Sequence, residues 1–369
     1  MYGDGTVSDG ILTGITYRSR HVAARDITAL SVTFFNAIGT NDSGLGPVNF
    51  KVGIEYPTPT VTPAFFGGNR TIPVGAGNAL TSDSVTVAIP KGGVFYVRTF
   101  ISVATGDRWV TTAVTDGTNW GEGLSNGIDS VDVGGGMIIT GDANYLIAPV
   151  AITSEAIDVP GVVIYGDSIA AGSGDGPPFL DRGYYMRALN QGIDGVAIPF
   201  ANLAVPGESV SAFITTTAGS LRKALPSNVR FRDAVVAYGT NDIGALGRTG
   251  AQVIGDLKSL YASLAALGIR VWGVTLLPRT TSTDGWATTT NQTPVAGFGA
   301  GSHRDFVNTW LRTLPKPLTG VIEVSDVVES SRNSGLWKVS PILTADGVHP
   351  NLAGHLALAA AVPVSALGA

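Results

Sequence analysis

The sequence predicts two domains of different class: an all-β sandwich of jelly-roll type over residues 1–156, then an α/β domain with a parallel sheet over residues 157–369. Three observations carry this reading. The 369 residues exceed the usual size of one domain, and 44% hydrophobic residues suffice to fill two cores. Up to about Ala156 the chain is rich in Gly, Thr, Val and Asn and shows short stretches of period two. Beyond about Val159, short apolar segments alternate with helical patterns, the signature of a parallel sheet covered by helices on both faces.

In the first half, Ile27 to Phe35, Ser84 to Ile89 and Val94 to Ile101 alternate β-branched and aromatic residues with polar ones, between turns of Gly, Asp and Pro. They are expected to be antiparallel strands, and no long amphipathic helix interrupts them. In the second half the strands are expected at Val162 to Tyr165, Ala197 to Asn202, Ala234 to Tyr238, Val271 to Leu276 and Val321 to Val324. Helices are expected at Tyr184 to Asn190, Val210 to Ala224, Ala251 to Leu267, His303 to Leu314 and Leu352 to Ala361. Pro278 to Ser302 is long, polar and rich in Thr and Gly, and reads as a functional or mobile insertion without secondary structure. The tetrapeptide Gly39-Thr40-Asn41-Asp42 echoes Gly239-Thr240-Asn241-Asp242; the first copy lies in turn-like sequence and reads as coincidence.

Composition excludes several functions. Charged residues make up 14% of the chain with a formal net charge of −5 and no run of Lys or Arg, so no nucleic-acid partner is expected. The absence of Cys removes disulfides, a cysteine nucleophile and thiolate metal sites. With only four His residues, a catalytic zinc site is not expected either. No stretch approaches the roughly 18 apolar residues of a membrane helix, and Met1 to Gly5 lacks a basic segment leading into an apolar one. A soluble protein is expected, its compartment open: cytoplasmic, secreted with a leader removed, or associated with a viral particle.

Chemistry concentrates where strands end, since ligands of open α/β sheets bind beyond the carboxyl ends of the strands. Gly166-Asp167-Ser168 follows the first expected strand of the second half, Asn202 to Ser209 the next, and Gly239-Thr240-Asn241-Asp242 the third. Near the end comes Asp346-Gly347-Val348-His349-Pro350. A serine at a strand end can be presented on a rigid support, and an Asp three residues before a His can orient its imidazole. Gly-Asp-Ser alone is a common turn, and the second Gly of G-x-S-x-G is missing, so the nucleophile elbow of the α/β-hydrolases is not what this sequence shows. The Gly-rich run Ala171 to Gly176 lacks the ending of a P-loop and the spacing of a dinucleotide fingerprint; flexibility beside the serine explains it better.

These four ordered blocks resemble the SGNH hydrolases, also called GDSL esterases and lipases, over roughly Val162 to Ala361. The resemblance implies a flavodoxin-like three-layer α/β/α fold. It implies Ser168 as nucleophile, His349 as general base and Asp346 as its orienting residue. It further implies an oxyanion hole of the Ser168 and Gly207 backbone N–H groups and the Asn241 amide. Gly207 suits such a hole because a residue without a Cβ admits close approach of a ligand, and Asn241 because a neutral amide donates without adding charge. Asp167 and Asp242 are expected to be structural. Of the other His residues, His21 reads as a solvated surface group and His355 as structural, while His303, bordering the long insertion, and Trp286 within it are candidates for substrate contact.

The expected reaction is ester hydrolysis through an acyl-enzyme, with no metal or organic cofactor. The expected substrate is a small short-chain ester, acetyl above all, or an acetylated polysaccharide held against the enzyme by the β domain, for which Trp109, Trp120, Trp286 and Trp337 are possible stacking surfaces. Two alternatives remain: a general carboxylesterase, lipase or thioesterase with a merely structural β domain, and a non-catalytic glycan-binding protein or viral particle adhesin. Oligomeric state is not legible.

Overall fold

The structure, a computed structural model, describes residues 6–37, 45–111, 121–134, 148–155, 161–176, 182–216 and 218–368. Contacts divide the chain into two compact units, residues 1–159 with 217–225 and residues 160–216 with 226–369. The expected boundary after residue 156 and the Gly39 to Asp42 tetrapeptide lie outside the described residues.

In chain order the strands of the first unit are β1 (Thr6–Val7), β2 (Gly14–Val22), β3 (Ile27–Asn36), β4 (Val48–Glu55), β5 (Val61–Pro63) and β6 (Ile72–Val74). They continue with β7 (Asn78–Thr81), β8 (Val85–Ile89), β9 (Val94–Ser102), β10 (Val110–Thr111), β11 (Gly123–Asn126) and β12 (Ala151–Ser154). One sheet runs β11-β2-β9-β4-β5 with β6 also on β4; a second runs β12-β3-β7 with β8 also on β3; β1 and β10 form a ribbon. The strands pair antiparallel. Period two is what makes this a sandwich, because alternate residues of each sheet point into one shared core. Ile15, Tyr17, Phe50, Val52 and Val97 of the larger sheet meet Leu30, Val32 and Phe34 of the smaller, and the Phe34 and Phe50 rings lie 5.2 Å apart. Trp109 is wholly buried in this core and so offers no surface to a sugar. Trp120 lies outside the described residues.

The second unit is the expected three-layer α/β/α domain. Its strands are β13 (Gly161–Gly166), β14 (Phe200–Asn202), β15 (Phe231–Ala237), β16 (Arg270–Val274), β17 (Thr280–Ser282), β18 (Gln292–Pro294) and β19 (Leu318–Ile322). The helices after residue 160 are α1 (Tyr184–Gln191), α2 (Val210–Thr215), α3 (Ala218–Asn228), α4 (Thr240–Gly244), α5 (Gly250–Ala265), α6 (His303–Arg312), α7 (Ser325–Val328), α8 (Leu352–Ala361) and α9 (Val364–Gly368), of which α3 as far as residue 225 clusters with the first unit. Five strands pair in parallel in the order β14-β13-β15-β16-β19, the flavodoxin-like order 2-1-3-4-5. A strand buried on both faces reads as a continuous apolar run, and in β13 Val162 to Gly166 are all buried. Val162 and Ile164 face a cluster with Tyr184, Tyr185 and Leu189 of α1 and Leu358 of α8. On the opposite face, the Tyr165 ring lies 5.2 Å from Phe213 of α2.

Three expectations need correction. Val210 to Ala224 is not one helix but α2 and α3, broken at extended Thr216; three consecutive threonines pay the χ1 restriction of β-branched residues at this point. β14 begins at Phe200 rather than Ala197, since Pro199 has no N–H for a ladder. The insertion from Pro278 to Ser302 contains a hairpin, β17 with β18, registered Thr280↔Pro294 and Ser282↔Gln292. Among the described residues no helix is long and apolar enough to cross a membrane.

Candidate active site

Strand order fixes where a crevice opens. β14 and β15 lie on opposite edges of β13, so the connections leaving the sheet there diverge. Ser168 follows β13, Asn241 opens the short helix after β15, and Gly207 follows β14. The sequence blocks thus arrive at one end of the sheet by topology.

Ser168 Oγ stands 2.8 Å from His349 Nε2, and His349 Nδ1 stands 2.7 Å from Asp346 Oδ2. The other carboxylate oxygen, Oδ1, accepts the backbone N–H groups of Val348 and His349, each at 2.8 Å. Partial burial works to raise the Asp346 carboxyl. The bonds from the His349 ring and these two N–H groups outweigh it and hold the group below its ordinary range. The Asp346-to-His349 turn is braced from outside itself. Thr344 Oγ1 donates to His349 O at 2.8 Å and accepts Gly347 N–H at 2.9 Å. Gly347 O accepts both Thr280 N and Trp337 Nε1 at 3.0 Å, and Gln292 of β18 clasps Trp337 by two backbone bonds. The hairpin inside the long insertion therefore holds the His349 loop.

The expected oxyanion donors are available. Among the described residues neither the Ser168 nor the Gly207 backbone N–H has an acceptor. The Asn241 amide spends one N–H on Glu208 O at 3.0 Å, which aims the group and leaves its second N–H free. Gly207 stands at φ +80, with nothing within 4 Å of where a Cβ would be. Glycine is needed there for the backbone conformation rather than for space.

The neighbouring polar residues are structural. Asn202 bonds Ala170 O and Ala204 N, tying the β14 end to the serine loop. Asp242 accepts Val210 N and Ser211 N, placing a carboxylate at the N-terminus of α2 just beyond Gly207. Asp167 is buried and accepts Ile169 N–H at 2.9 Å; burial, aided by the charges of Asp242 and Glu208, pushes its carboxyl up to about 7. The Gly-rich run after Ser168 serves close packing rather than looseness: a Cβ at Gly174 would collide with Pro350 O and lie 2.9 Å from His349 Cβ.

Other candidates fall into place. Trp337 is wholly buried and is no sugar platform; it is part of the brace. Trp286 is half-buried, bonds Thr280 Oγ1 through its indole N–H at 2.9 Å, and lies against Gly347. His303 is exposed at the start of α6, and a Cβ on Gly297 would lie 3.7 Å from its ring. His355 is buried and bonds Ser173 O at 3.0 Å, supporting the serine loop. His21 is half-buried beside Ser19 and Phe95 rather than fully solvated. The brace of Thr344, Gln292 and Trp337 escaped sequence reading, because no periodicity marks a residue that bonds a distant backbone. Among the described residues no group of three or more His, Cys, Asp or Glu is arranged to hold a metal ion.

Residues 164–357 match the model of the GDSL-like Lipase/Acylhydrolase family. No curated protein matches the chain. Similar solved structures include a member of the lipolytic G-D-S-L family from Veillonella parvula, 20% identical, covering 55% of this chain and 96% of its own at a TM-score of 0.41. A carbohydrate esterase family 3 protein from Talaromyces cellulolyticus is 15% identical, covering 57% and 97% at 0.40. A psychrotrophic esterase from Pseudoalteromonas is 14% identical, covering 55% and 93% at 0.39. With more than half of its residues inside the family match, the chain belongs to the GDSL-like lipase/acylhydrolase family of ester-hydrolysing enzymes.

Proposed function

We propose that the protein is a serine esterase that cleaves short-chain carboxylic esters, acetyl esters above all, through an acyl-enzyme. The observation that carries the reading is the unbroken relay Ser168 Oγ–His349 Nε2–Asp346, with links of 2.8 and 2.7 Å. His349 takes the Ser168 proton as the hydroxyl attacks the ester carbonyl, then returns it to the departing alcohol. Water, activated by the same imidazole, releases the acid. Ser168 N–H, Gly207 N–H and Asn241 Nδ2 receive the oxyanion; the two backbone N–H groups have no other acceptor among the described residues, and Asn241 keeps one amide N–H beyond its bond to Glu208 O, which supports this role. Side chains and water supply every step, so the reaction calls for no cofactor.

Residues 1–156 are proposed to be an accessory β-sandwich that presents an acetylated polysaccharide to a catalytic domain of residues 157–369. A panel of 4-nitrophenyl esters of rising acyl length, run on the full chain beside acetylated polysaccharides, tests this. Activity highest on acetyl and on polymer is expected. A rise with chain length would instead mark a lipase, and equal use of polymer and small esters a general carboxylesterase. Ser168→Ala should lose activity by up to about a million-fold. Near-normal turnover by that variant would falsify Ser168 as nucleophile.

A further inference from the structure

The Arg279 side chain meets no anion among the described residues. Arg279 follows β16 at the crevice end of the sheet and is half-buried; its side chain makes no hydrogen bond or ion pair among the described residues, and Nη1 is shielded from solvent without a partner. Four other arginines of this unit each meet a carboxylate, although Arg304 too keeps one shielded nitrogen, Nη2, without a partner. Arg187 sits on Asp175, Arg270 on Asp233, Arg304 on Glu329 and Arg312 on Glu323, at 2.7 to 2.9 Å. A shielded guanidinium N–H with no acceptor is costly to keep.

Its position is also built. Arg304 Nε bonds Leu276 O and Leu277 O at 2.9 and 3.0 Å, and Asn308 Oδ1 accepts Leu276 N–H at 2.7 Å, which fixes the backbone leading to Arg279. Arg279 O accepts Val295 N–H at 2.8 Å, and the next residue, Thr280, donates to Gly347 O in the His349 loop. On its other side the guanidinium lies against Gly244, where an added Cβ would collide with Nη1 and lie 2.9 Å from Cζ. Gly244 is three residues after Asn241 on α4, the spacing that puts two residues on one helix face. The guanidinium therefore lies against the helix that carries Asn241, while the backbone of the next residue bonds the loop that carries His349.

We propose that Arg279 is a specificity residue that binds an anionic group, a carboxylate above all, on the ester substrate. This deepens the esterase reading and rests on it for turnover. A planar guanidinium held at one station suits bidentate recognition of a carboxylate, and partial burial strengthens the pair relative to water. The anion can belong to either half of the ester. Two matched probe pairs separate these cases: 3-acetoxybenzoate against 3-acetoxybenzamide for the alcohol half, and mono-4-nitrophenyl glutarate against 4-nitrophenyl pentanoate for the acyl half.

The readout is the ratio of kcat/KM for the charged over the neutral member. In one pair the wild-type ratio should exceed that of Arg279→Met by about ten- to a hundredfold, with Arg279→Lys between them. Rising ionic strength should lower the wild-type ratio, a measurement that needs no variant to fold. Equal ratios in wild type and Arg279→Met for both pairs overturn the proposal, as does a wild-type ratio insensitive to salt. If no ester is turned over, the esterase reading fails separately. Equilibrium binding of 3-acetoxybenzoate and 3-acetoxybenzamide to the Ser168→Ala protein, with and without Arg279→Met, then decides the anion site by the same ratio.

Discussion

Asp346 reaches His349 with one carboxylate oxygen while the other holds the backbone N–H groups of Val348 and His349, so a single side chain sets both the turn and the imidazole it carries. An asparagine at 346 would keep its oxygen on those two N–H groups and turn its NH2 toward His349 Nδ1. That pairing forces the proton onto Nε2, the nitrogen that must accept from Ser168. In a serine protease the corresponding change costs about ten-thousandfold. Here 53% of the Asp346 side chain is exposed and water screens its charge, so Asp346→Asn should lower kcat on 4-nitrophenyl acetate by about a hundred- to ten-thousandfold. A loss below tenfold would detach Asp346 from the relay.

The Asn241 amide is aimed by its bond to Glu208 O, and its free N–H is one of three oxyanion donors in the proposed mechanism. Asn241→Ala removes that donor and leaves the Ser168–His349 pair untouched. The expected result is a fall in kcat of about a hundred- to a thousandfold with little change in KM, because the donor acts on charge that develops after binding. A rise in KM alone would assign Asn241 to substrate binding instead.

Thr344, only 1% exposed, holds the His349 loop by a hydroxyl that donates to His349 O and accepts from Gly347 N–H. Thr344→Val keeps the shape but leaves Gly347 N–H and His349 O without this partner, a loss of about 1–3 kcal/mol. Calorimetry should show the unfolding transition of the α/β unit lowered by several degrees. Turnover should fall with it, since a base displaced by even about 1 Å slows reaction strongly. A normal melting temperature would mean the loop is held by Trp337 and Thr280 alone.

Much of the catalytic unit was legible because its signals are local. Val162 to Tyr165 is a continuous apolar run, Leu352 to Ala361 is a short apolar helix after Pro350, and each block of polar residues sits at a strand end. The hairpin at Thr280 to Ser282 and Gln292 to Pro294 was illegible. Its threonines show no apolar alternation, and its work is to bond Gly347 and Trp337, the latter 45 residues from Gln292. Two of the four Trp residues read as possible sugar surfaces, Trp109 and Trp337, show the same limit from the other side: composition names a large aromatic but not the core that encloses it. Arg279 could not be singled out either, since a sequence does not reveal that a cation meets no anion among the described residues.

Asp167 gives the fold a dependence on pH that points the opposite way from an ordinary salt-bridged carboxylate. Burial, with the charges of Asp242 and Glu208 behind it, raises its carboxyl to about 7, whereas in the unfolded chain it titrates near 4. Between these values the folded protein holds a proton that the unfolded chain has released. Stability therefore falls as pH rises through that window, and above about 7 the deficit is constant, on the order of 4 kcal/mol. Asp167→Asn is neutral at every pH and keeps an oxygen for Ile169 N–H. Urea unfolding of both proteins at pH 4 and pH 8 isolates this group, because every other titration is common to the two. The variant should match wild type within about 1 kcal/mol at pH 4 and exceed it by several at pH 8. The same difference at both pH values would mean that Asp167 stays ionised in the folded state, with the acidic neighbours Asp242 and Glu208 accommodated some other way.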